Sequence, residues 1–274
     1  MPNHRPALVL VRGGGDLATG VALRLHRAGM KVVITELAQP LAVRRAVSFA
    51  EAVYEGQHTV EGVTARLVRP DQLSAAAAGS EISVLIDPDA DVLLDPRCSF
   101  AVTVDARLLK ISPLPLPIPV PLHIGLGPGF HAGRDCHAVI ETRRGHTLGR
   151  VYWSGSTLPD SGVPEGDPRR VLRAPGDGML VAKTKIGEHV EEGQVVASVQ
   201  IEKYTSTQVH SPFAGVLRGI IRDGVQVTKG LKVGDVDPRD DPSFCFLVSD
   251  KALAIGGGVL EAILSKQEIR RHLM

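Results

Sequence analysis

Two copies of one sequence pattern, 37 residues apart, constrain the fold of this chain more than any other feature. The pattern P-x-x-G-x-L, followed by G-x-x-V-x-x-G, occupies residues 175–193 and recurs over residues 212–230. Each copy consists of short strands separated by glycine turns, which is typical of two interlocking β-layers related by a pseudo-two-fold axis. We therefore predict a small all-β barrel-sandwich module over residues 171–248, with residues 154–170 as the linker that precedes it.

Length and composition predict a second domain and argue against nucleic acid and a membrane surface as partners. The chain has 274 residues, enough for two domains of roughly 100–200 residues each. Lys and Arg total 31 and Asp and Glu total 30, so we expect neither nucleic acid nor a membrane surface as a partner. The three cysteines lie far apart without C-x-x-C spacing, which argues against a disulfide framework or a structural zinc site. The N-terminus lacks a signal-peptide pattern, and we predict a cytoplasmic protein.

Residues 1–153 alternate between apolar strands and helical stretches. An apolar strand, a glycine-rich turn, a helical stretch and the strand at 31–36 form a βαβ unit. Further helices are predicted over 42–54 and 71–78, and further strands over 63–68, 83–87 and 100–105. The predicted fold class is thus an α/β Rossmann-like doubly wound sheet plus the small all-β barrel-sandwich domain. A final helix is predicted within residues 249–274, where its apolar face would pack on the N-terminal domain.

The turn after the first strand carries the dinucleotide-binding fingerprint in its Gly/Ala form. Gly13 permits the tight turn, Gly15 lets a pyrophosphate approach the backbone, and Ala18 lets helix and strand pack closely. Asp16 lies within the turn, and Glu36 ends the second strand 23 residues after Gly13, where an acidic group meets a ribose hydroxyl. The pattern predicts nucleotide or phosphate binding, and the alternative is a vestigial site or one reused for another phosphate ligand.

Two further segments are predicted to line the ligand-binding crevice of the sheet. Ligands of a parallel sheet collect at the carboxyl ends of its strands. Asp105 ends the strand predicted over 100–105. A second glycine-rich loop contains Gly127 and Gly129 and is followed by Arg134. This loop either cradles an anion with the help of Arg134 or makes a tight β-connection.

Four other residues are weaker candidates for chemistry. Cys136 could act as a nucleophile or a sulfur relay, although a free cysteine is more often a small buried hydrophobe. His146 lies in a polar stretch and is a weak acid/base candidate. Asp235 and Asp237 belong to an acidic cluster that could hold a cation, although a solvated acidic turn is the commoner outcome.

Motifs spread over nearly the whole chain carry a family resemblance. They are GGGDLATG at 13–20, RRAVSFAEAV at 44–53, GLGPGF at 125–130, IETRRGH at 140–146, LGR at 148–150, LRG at 217–219 and DVDPR at 235–239. With them the chain resembles the YqeB family of selenium-dependent molybdenum hydroxylase maturation proteins. The resemblance implies an accessory role in inserting or activating the cofactor of a molybdenum hydroxylase, and an N-terminal half similar to that of XdhC-type accessory proteins. NAD or molybdopterin dinucleotide would be the ligand, and a homo-oligomer is left open.

The duplicated module also resembles a biotinyl/lipoyl domain, in which a lysine between the two halves carries the prosthetic group. Lys203 lies between the copies, but methionines do not flank it, and it stands one residue further from Pro212 than lipoyl spacing places it. Two rival functions therefore stand beside the maturation factor. One is an NAD-dependent oxidoreductase, in which Glu36 favours NAD over NADP. The other is a lipoyl- or biotin-like carrier protein.

Overall fold

The computed structural model describes residues 7–163, 166–202 and 205–273, and the chain divides into two compact units. The first unit comprises the residues up to Pro40, Phe49–Asp160 and the residues from Val248 onward. The second unit comprises Leu41–Ser48 and Ser161–Leu247. Each unit is therefore assembled from segments that are separated in the sequence.

The first unit is built on a nine-stranded sheet. Its elements are β1 (Leu8–Arg12), α1 (Asp16–Arg27), β2 (Lys31–Glu36), α2 (Ala52–Glu55), β3 (Gln57–Val60), β4 (Val63–Leu67), α3 (Leu73–Ala76), β5 (Ile82–Ile86), β6 (Phe100–Asp105), β7 (Leu122–Leu126), β8 (His131–Ala132), β9 (Ala138–Ile140), β10 (Val151–Tyr152), β11 (Gly155–Ser156), α4 (Asp250–Leu264) and α5 (Gln267–Leu273). The strand order is β10-β9-β7-β6-β1-β2-β5-β4-β3, and β8 pairs separately with β11. The neighbouring strands are parallel except in the pairs β9–β10 and β3–β4 at the two edges.

The prediction of a Rossmann-like doubly wound sheet is wrong. Such a sheet carries helices on both faces between its parallel strands, whereas the described residues contain no helix of eight or more residues between α1 and α4. The segments predicted as helices instead form 3-10 turns at Arg45–Val47, Phe49–Glu51 and Pro70–Gln72 and the four-residue helices α2 and α3. The alanines at 75–78 offer little apolar area to hold a longer helix on the sheet. The alternating prolines at 113–121 exclude a helix between β6 and β7.

Helices α1 and α4 pack closely against each other through glycines. A Cβ added at Gly20 would lie 2.6 Å from the Cβ of Ala252, and one added at Gly256 would lie 2.8 Å from the carbonyl oxygen of Gly20. Ser249 caps α4, because its side chain accepts a hydrogen bond from the Ala252 amide. The helix predicted near the C-terminus therefore lies on α1 within the first unit.

Helix α4 also belongs to an apolar run whose composition resembles that of a membrane span. The run is Pro242–Leu264, and its mean hydropathy is 1.4. The α-helical part has only 15 residues and so extends about 22 Å, less than the roughly 30 Å of a bilayer core. Seven of its residues, among them Ile255 and Val259, are buried in the unit. These are properties of a packed core helix, so the run is weak evidence for a membrane span.

The second unit contains the duplicated β-module. Its strands are β12 (Val171–Arg173), β13 (Gly178–Ala182), β14 (His189–Val190), β15 (Val195–Glu202), β16 (Thr205–His210), β17 (Gly215–Ile220), β18 (Gln226–Val227) and β19 (Lys232–Asp237), and 3-10 turns form at Pro168–Arg170 and Pro242–Cys245. They make two four-stranded antiparallel sheets, ordered β12-β19-β17-β14 and β16-β15-β13-β18. Strand β14 of the first copy joins the sheet of the second copy, and β18 makes the reverse exchange. The two copies therefore interlock, as the repeat predicts.

The repeated residues of this module have one structural role in both copies. Leu180 and Leu217 are fully buried, and Val190 and Val227 are at most 3% exposed. The four glycines that flank the two valines have φ between +77° and +92°, a backbone conformation that glycine adopts at no steric cost. The spacing of the repeat thus reflects turn geometry and core packing.

Candidate functional site

The glycine turn, residues 13–16, joins the carboxyl end of β1 to α1. Gly13 has a φ of +93°, and its amide donates a hydrogen bond to the carbonyl of Thr35 at 2.7 Å. Gly15 is the N-cap of α1, and a Cβ added there would meet no heavy atom within 4 Å. Ala18 is 1% exposed on the packed side of the helix. The turn therefore presents the N-terminus of a 12-residue helix to open space, an arrangement that favours anions.

Glu36, the predicted ribose ligand, lies against this turn. Its Oε2 accepts a hydrogen bond from the Gly14 amide at 2.6 Å, and its Oε1 accepts one from the Leu37 amide at 2.7 Å. The structure thus brings Glu36 and the turn together. Both carboxylate oxygens already have one donor, so a ribose hydroxyl would use their remaining acceptor capacity.

Asp105 is buried at the end of β6 and holds two arginines. It accepts from Arg107 through Nε at 2.9 Å and Nη2 at 2.6 Å, and from Arg12 through Nη1 at 3.5 Å. Arg12 ends β1, directly opposite Asp105 in the parallel ladder, and its Nη2 donates to the Pro88 carbonyl at 2.9 Å. Burial lowers the pKa of Arg12, while Asp105 acts in the opposite direction. Asp105 is therefore the anion of an ion cluster beside the glycine turn.

Arg12 and Arg107 are the residues of this site that the sequence reasoning missed. Arg12 interrupts an otherwise apolar strand immediately before the turn, and Arg107 follows Asp105 by two residues. A cation at the carboxyl end of a strand is the signal that could have identified Arg12, because the polar ends of neighbouring parallel strands meet at one edge of the sheet.

The second glycine-rich loop is held by the chain itself. The amide of Gly129 donates to the carbonyl of Leu109 at 2.8 Å, and a Cβ added at Gly129 would lie 2.6 Å from the carbonyl oxygen of Ile111. Gly127 has a φ of +93°, and a Cβ there would lie 3.7 Å from the side chain of Leu108. Gly129 therefore serves close packing against residues 109–111 and Gly127 serves a turn with positive φ, which favours the tight β-connection over the anion cradle.

The other candidates near this loop have local roles. Arg134 pairs with Asp135 at 2.9 Å on the surface, so its charge is already compensated. Cys136 is buried, and its Sγ donates to the carbonyl of Ala138 at 3.2 Å. Burial raises the pKa of Cys136 to about 11, which keeps it a thiol at neutral pH and removes the basis for a nucleophile. His146 is exposed between β9 and β10.

Asp235 and Asp237, the candidate cation ligands, are acceptors in an ion network of the second unit. Asp235 is buried, and its Oδ2 accepts from Arg170, Arg218 and Lys232 at 2.5, 3.0 and 3.2 Å. Asp237 pairs with Arg239 at 2.6 Å, and chiefly this hydrogen bond lowers the pKa of Asp237 to about 2. Protein cations thus pair with both carboxylates through Oδ2. Within the described ranges, no group of three or more His, Cys, Asp or Glu side chains could hold a metal ion.

Comparison with known sequences identifies one domain and one relative. The family model described as "Biotin-requiring enzyme" (biotin/lipoyl) matches residues 170–235, so a biotin/lipoyl domain is present in the second unit. The proposed attachment residue, Lys203, lies outside the described residues. The chain is homologous to the uncharacterized protein YqeB of Escherichia coli K12, with 45% identity over 272 residues. The match covers 96% of this chain and 49% of the relative, so the chain spans about half of the relative's length.

Comparison with solved structures gives only distant matches. An aspartoacylase family protein from Mesorhizobium loti is 15% identical, with a TM-score of 0.29 and 84% of each chain covered. A succinylglutamate desuccinylase/aspartoacylase from Rhodobacter sphaeroides is 14% identical, with a TM-score of 0.27 and 85% of each chain covered. At such TM-scores neither carries an argument about activity.

Proposed function

We propose that this protein is a cytoplasmic accessory factor for a molybdenum hydroxylase, and that its glycine turn binds a pyrophosphate-bearing ligand. The dinucleotide form of the molybdenum cofactor is the leading candidate. The observation that carries the binding proposal is the open space at Gly15, where the backbone at the start of α1 is accessible. The hydroxylase part of the proposal is supported by the family motifs of the sequence.

The chemistry required of such a site is binding and orientation. The first amides of α1 donate to phosphate oxygens, and the helix dipole adds a partial positive charge. Glu36, held beside the turn by the Gly14 amide, has acceptor capacity for a ribose hydroxyl. The β-module provides a rigid surface on which the hydroxylase docks.

Substitution of Gly15 by alanine is expected to separate ligand binding from folding. Because Gly15 has an ordinary φ of −65° and open space around its Cβ position, the variant should melt as the wild type does. Its methyl group would stand where the pyrophosphate approaches, so affinity should fall by about tenfold or more, roughly 1.4 kcal/mol. Calorimetric titration with molybdopterin dinucleotide, NAD and NADP measures this.

Gly257→Ala is the matched control, because a Cβ at Gly257 also meets no heavy atom within 4 Å. It should retain both stability and affinity. Wild-type affinity in Gly15→Ala would contradict binding at the turn. Tight NAD binding accompanied by substrate turnover would instead establish an NAD-dependent oxidoreductase.

The biotin/lipoyl domain match favours a second candidate function, a carrier in which Lys203 holds biotin or lipoate. Under the maturation proposal, Lys203 of the native protein should carry neither biotin nor lipoate. Intact-mass measurement of protein purified from its own source tests this. An added biotinyl or lipoyl mass that disappears in Lys203→Arg would favour the carrier over the rigid docking module.

A further inference from the structure

Four Asp-x-Arg segments in this chain fold into the same paired turn. They are Asp95–Arg97, Asp105–Arg107, Asp167–Arg169 and Asp237–Arg239, with Nε–Oδ1 distances of 2.9–3.1 Å and Nη2–Oδ2 distances of 2.6–2.7 Å. In such a bidentate pair the planar guanidinium uses one edge, so Nη1 points away from the carboxylate. Each turn therefore holds its arginine in a fixed orientation.

The turn formed by Asp105 and Arg107 differs from the others in its middle residue. The other three have proline at this position, whereas here it is Ala106. The amide of Ala106 donates to the carbonyl of Arg12 at 2.9 Å, a bond that proline could not make. This hydrogen bond holds the segment against the end of β1, immediately before the glycine turn.

Arg107 consequently lies beside Gly13. A Cβ added at Gly13 would be 3.5 Å from the carbonyl oxygen of Ala106 and 3.6 Å from the Cγ of Arg107. Asp105 is 1% exposed and Arg107 is 31% exposed, so the carboxylate is buried while its arginine reaches the surface. Nη1 of Arg107 has no hydrogen-bond partner among the residues that the structure describes.

The charges and burial around the glycine turn determine which cation an anionic ligand can contact. The charged groups that act on Arg12 are the carboxylates of Asp105, Asp87 and Asp89 and the guanidinium of Arg107. Arg12 is 5% exposed and is held by Asp105 and the Pro88 carbonyl. Without Arg107, three carboxylates would oppose one buried cation, an environment that repels phosphate. Arg107 is therefore the cation of this cluster that can contact an anionic ligand.

We infer that Arg107 binds the phosphate groups of the ligand at the glycine turn and restricts that ligand to anions. This inference rests on the proposed function, because it concerns the same turn. It adds the residue that neutralises the ligand, which the dinucleotide fingerprint does not specify.

Titration of the full chain with inorganic pyrophosphate tests the inference. Arg107→Gln should weaken pyrophosphate binding about tenfold or more. Arg107→Lys should weaken it less, because lysine keeps the charge but loses the planar fork. Arg97→Gln is the matched control, since Arg97 belongs to the same type of turn but lies in a different segment. It should bind as the wild type does, and the melting temperature should verify that each variant is folded.

Equal pyrophosphate affinity in Arg107→Gln and Arg97→Gln would overturn the inference, as would a wild-type protein that binds no pyrophosphate at millimolar concentration. The proposed function is judged separately by molybdopterin dinucleotide. If Gly15→Ala abolishes dinucleotide binding and Arg107→Gln leaves it unchanged, the turn is the ligand site and Arg107 is not its anion-binding residue.

Discussion

Replacing Asp105 by alanine is expected to lower the free energy of unfolding by about 3–5 kcal/mol, because the substitution leaves a buried charge without its partner. Asp105 is 1% exposed and Arg12 is 5% exposed. The Arg12 guanidinium would keep only the Pro88 carbonyl as a hydrogen-bond acceptor among the described residues. Denaturant unfolding of the variant and the wild type measures the difference.

Two variants show whether the loss comes from the unpaired charge. Asp95→Ala removes the aspartate of an equivalent turn whose aspartate is 15% exposed and whose arginine is 52% exposed, and it should cost much less stability because solvent screens such pairs. The double variant Arg12→Met with Asp105→Leu replaces the buried pair by apolar side chains and should recover most of the lost stability. If the double variant is no more stable than Asp105→Ala, the unpaired charge is not the cause.

Gly20→Ala is expected to lower the free energy of unfolding by about 2 kcal/mol, although alanine is the better helix former by about 1 kcal/mol. The added methyl group would lie 2.6 Å from the Cβ of Ala252 and 2.8 Å from its carbonyl oxygen. Helix α1 would then have to move away from α4. Thermal and denaturant unfolding report the loss.

A compensating substitution identifies the contact responsible. Ala252→Gly combined with Gly20→Ala moves the methyl group from α4 to α1 and should restore part of the stability. Gly257→Ala, on the open side of α4, should be neutral or slightly stabilising. Equal stability of Gly20→Ala and Gly257→Ala would contradict close packing of the two helices.

The duplicated module was predictable because its sequence pattern is short and occurs twice. Glycines at fixed spacing specify turns through their positive φ, and the apolar residues between them alternate as a half-buried strand requires. The glycine turn was predictable for the same reason, since one short segment contains the strand end, the turn and the helix start. Glu36 was predicted to lie near the turn because it ends the strand that follows α1. Its carboxylate accepts a hydrogen bond from the Gly14 amide.

The helices predicted over 42–54 and 71–78 do not form over these lengths. Their composition suits a helix, but a helix also needs an apolar surface to pack against. Arg44 and Arg45 instead donate to the carbonyls of Leu247 and Ile220 in the second unit. The glycines at 127 and 129 were equally ambiguous, because the same pattern suits a ligand cradle and a close backbone contact.

The sequence by itself determined the elements whose cause lies within a few residues, namely the repeat with its turns and the glycine turn before α1. Only the tertiary structure decided which charges meet and which glycines touch another segment. Arg12 and Asp105 are 93 residues apart in the chain, and they are neighbours because β1 and β6 pair in the sheet. Local patterns do not encode such a pairing, since strand order depends on how all the apolar faces are buried together.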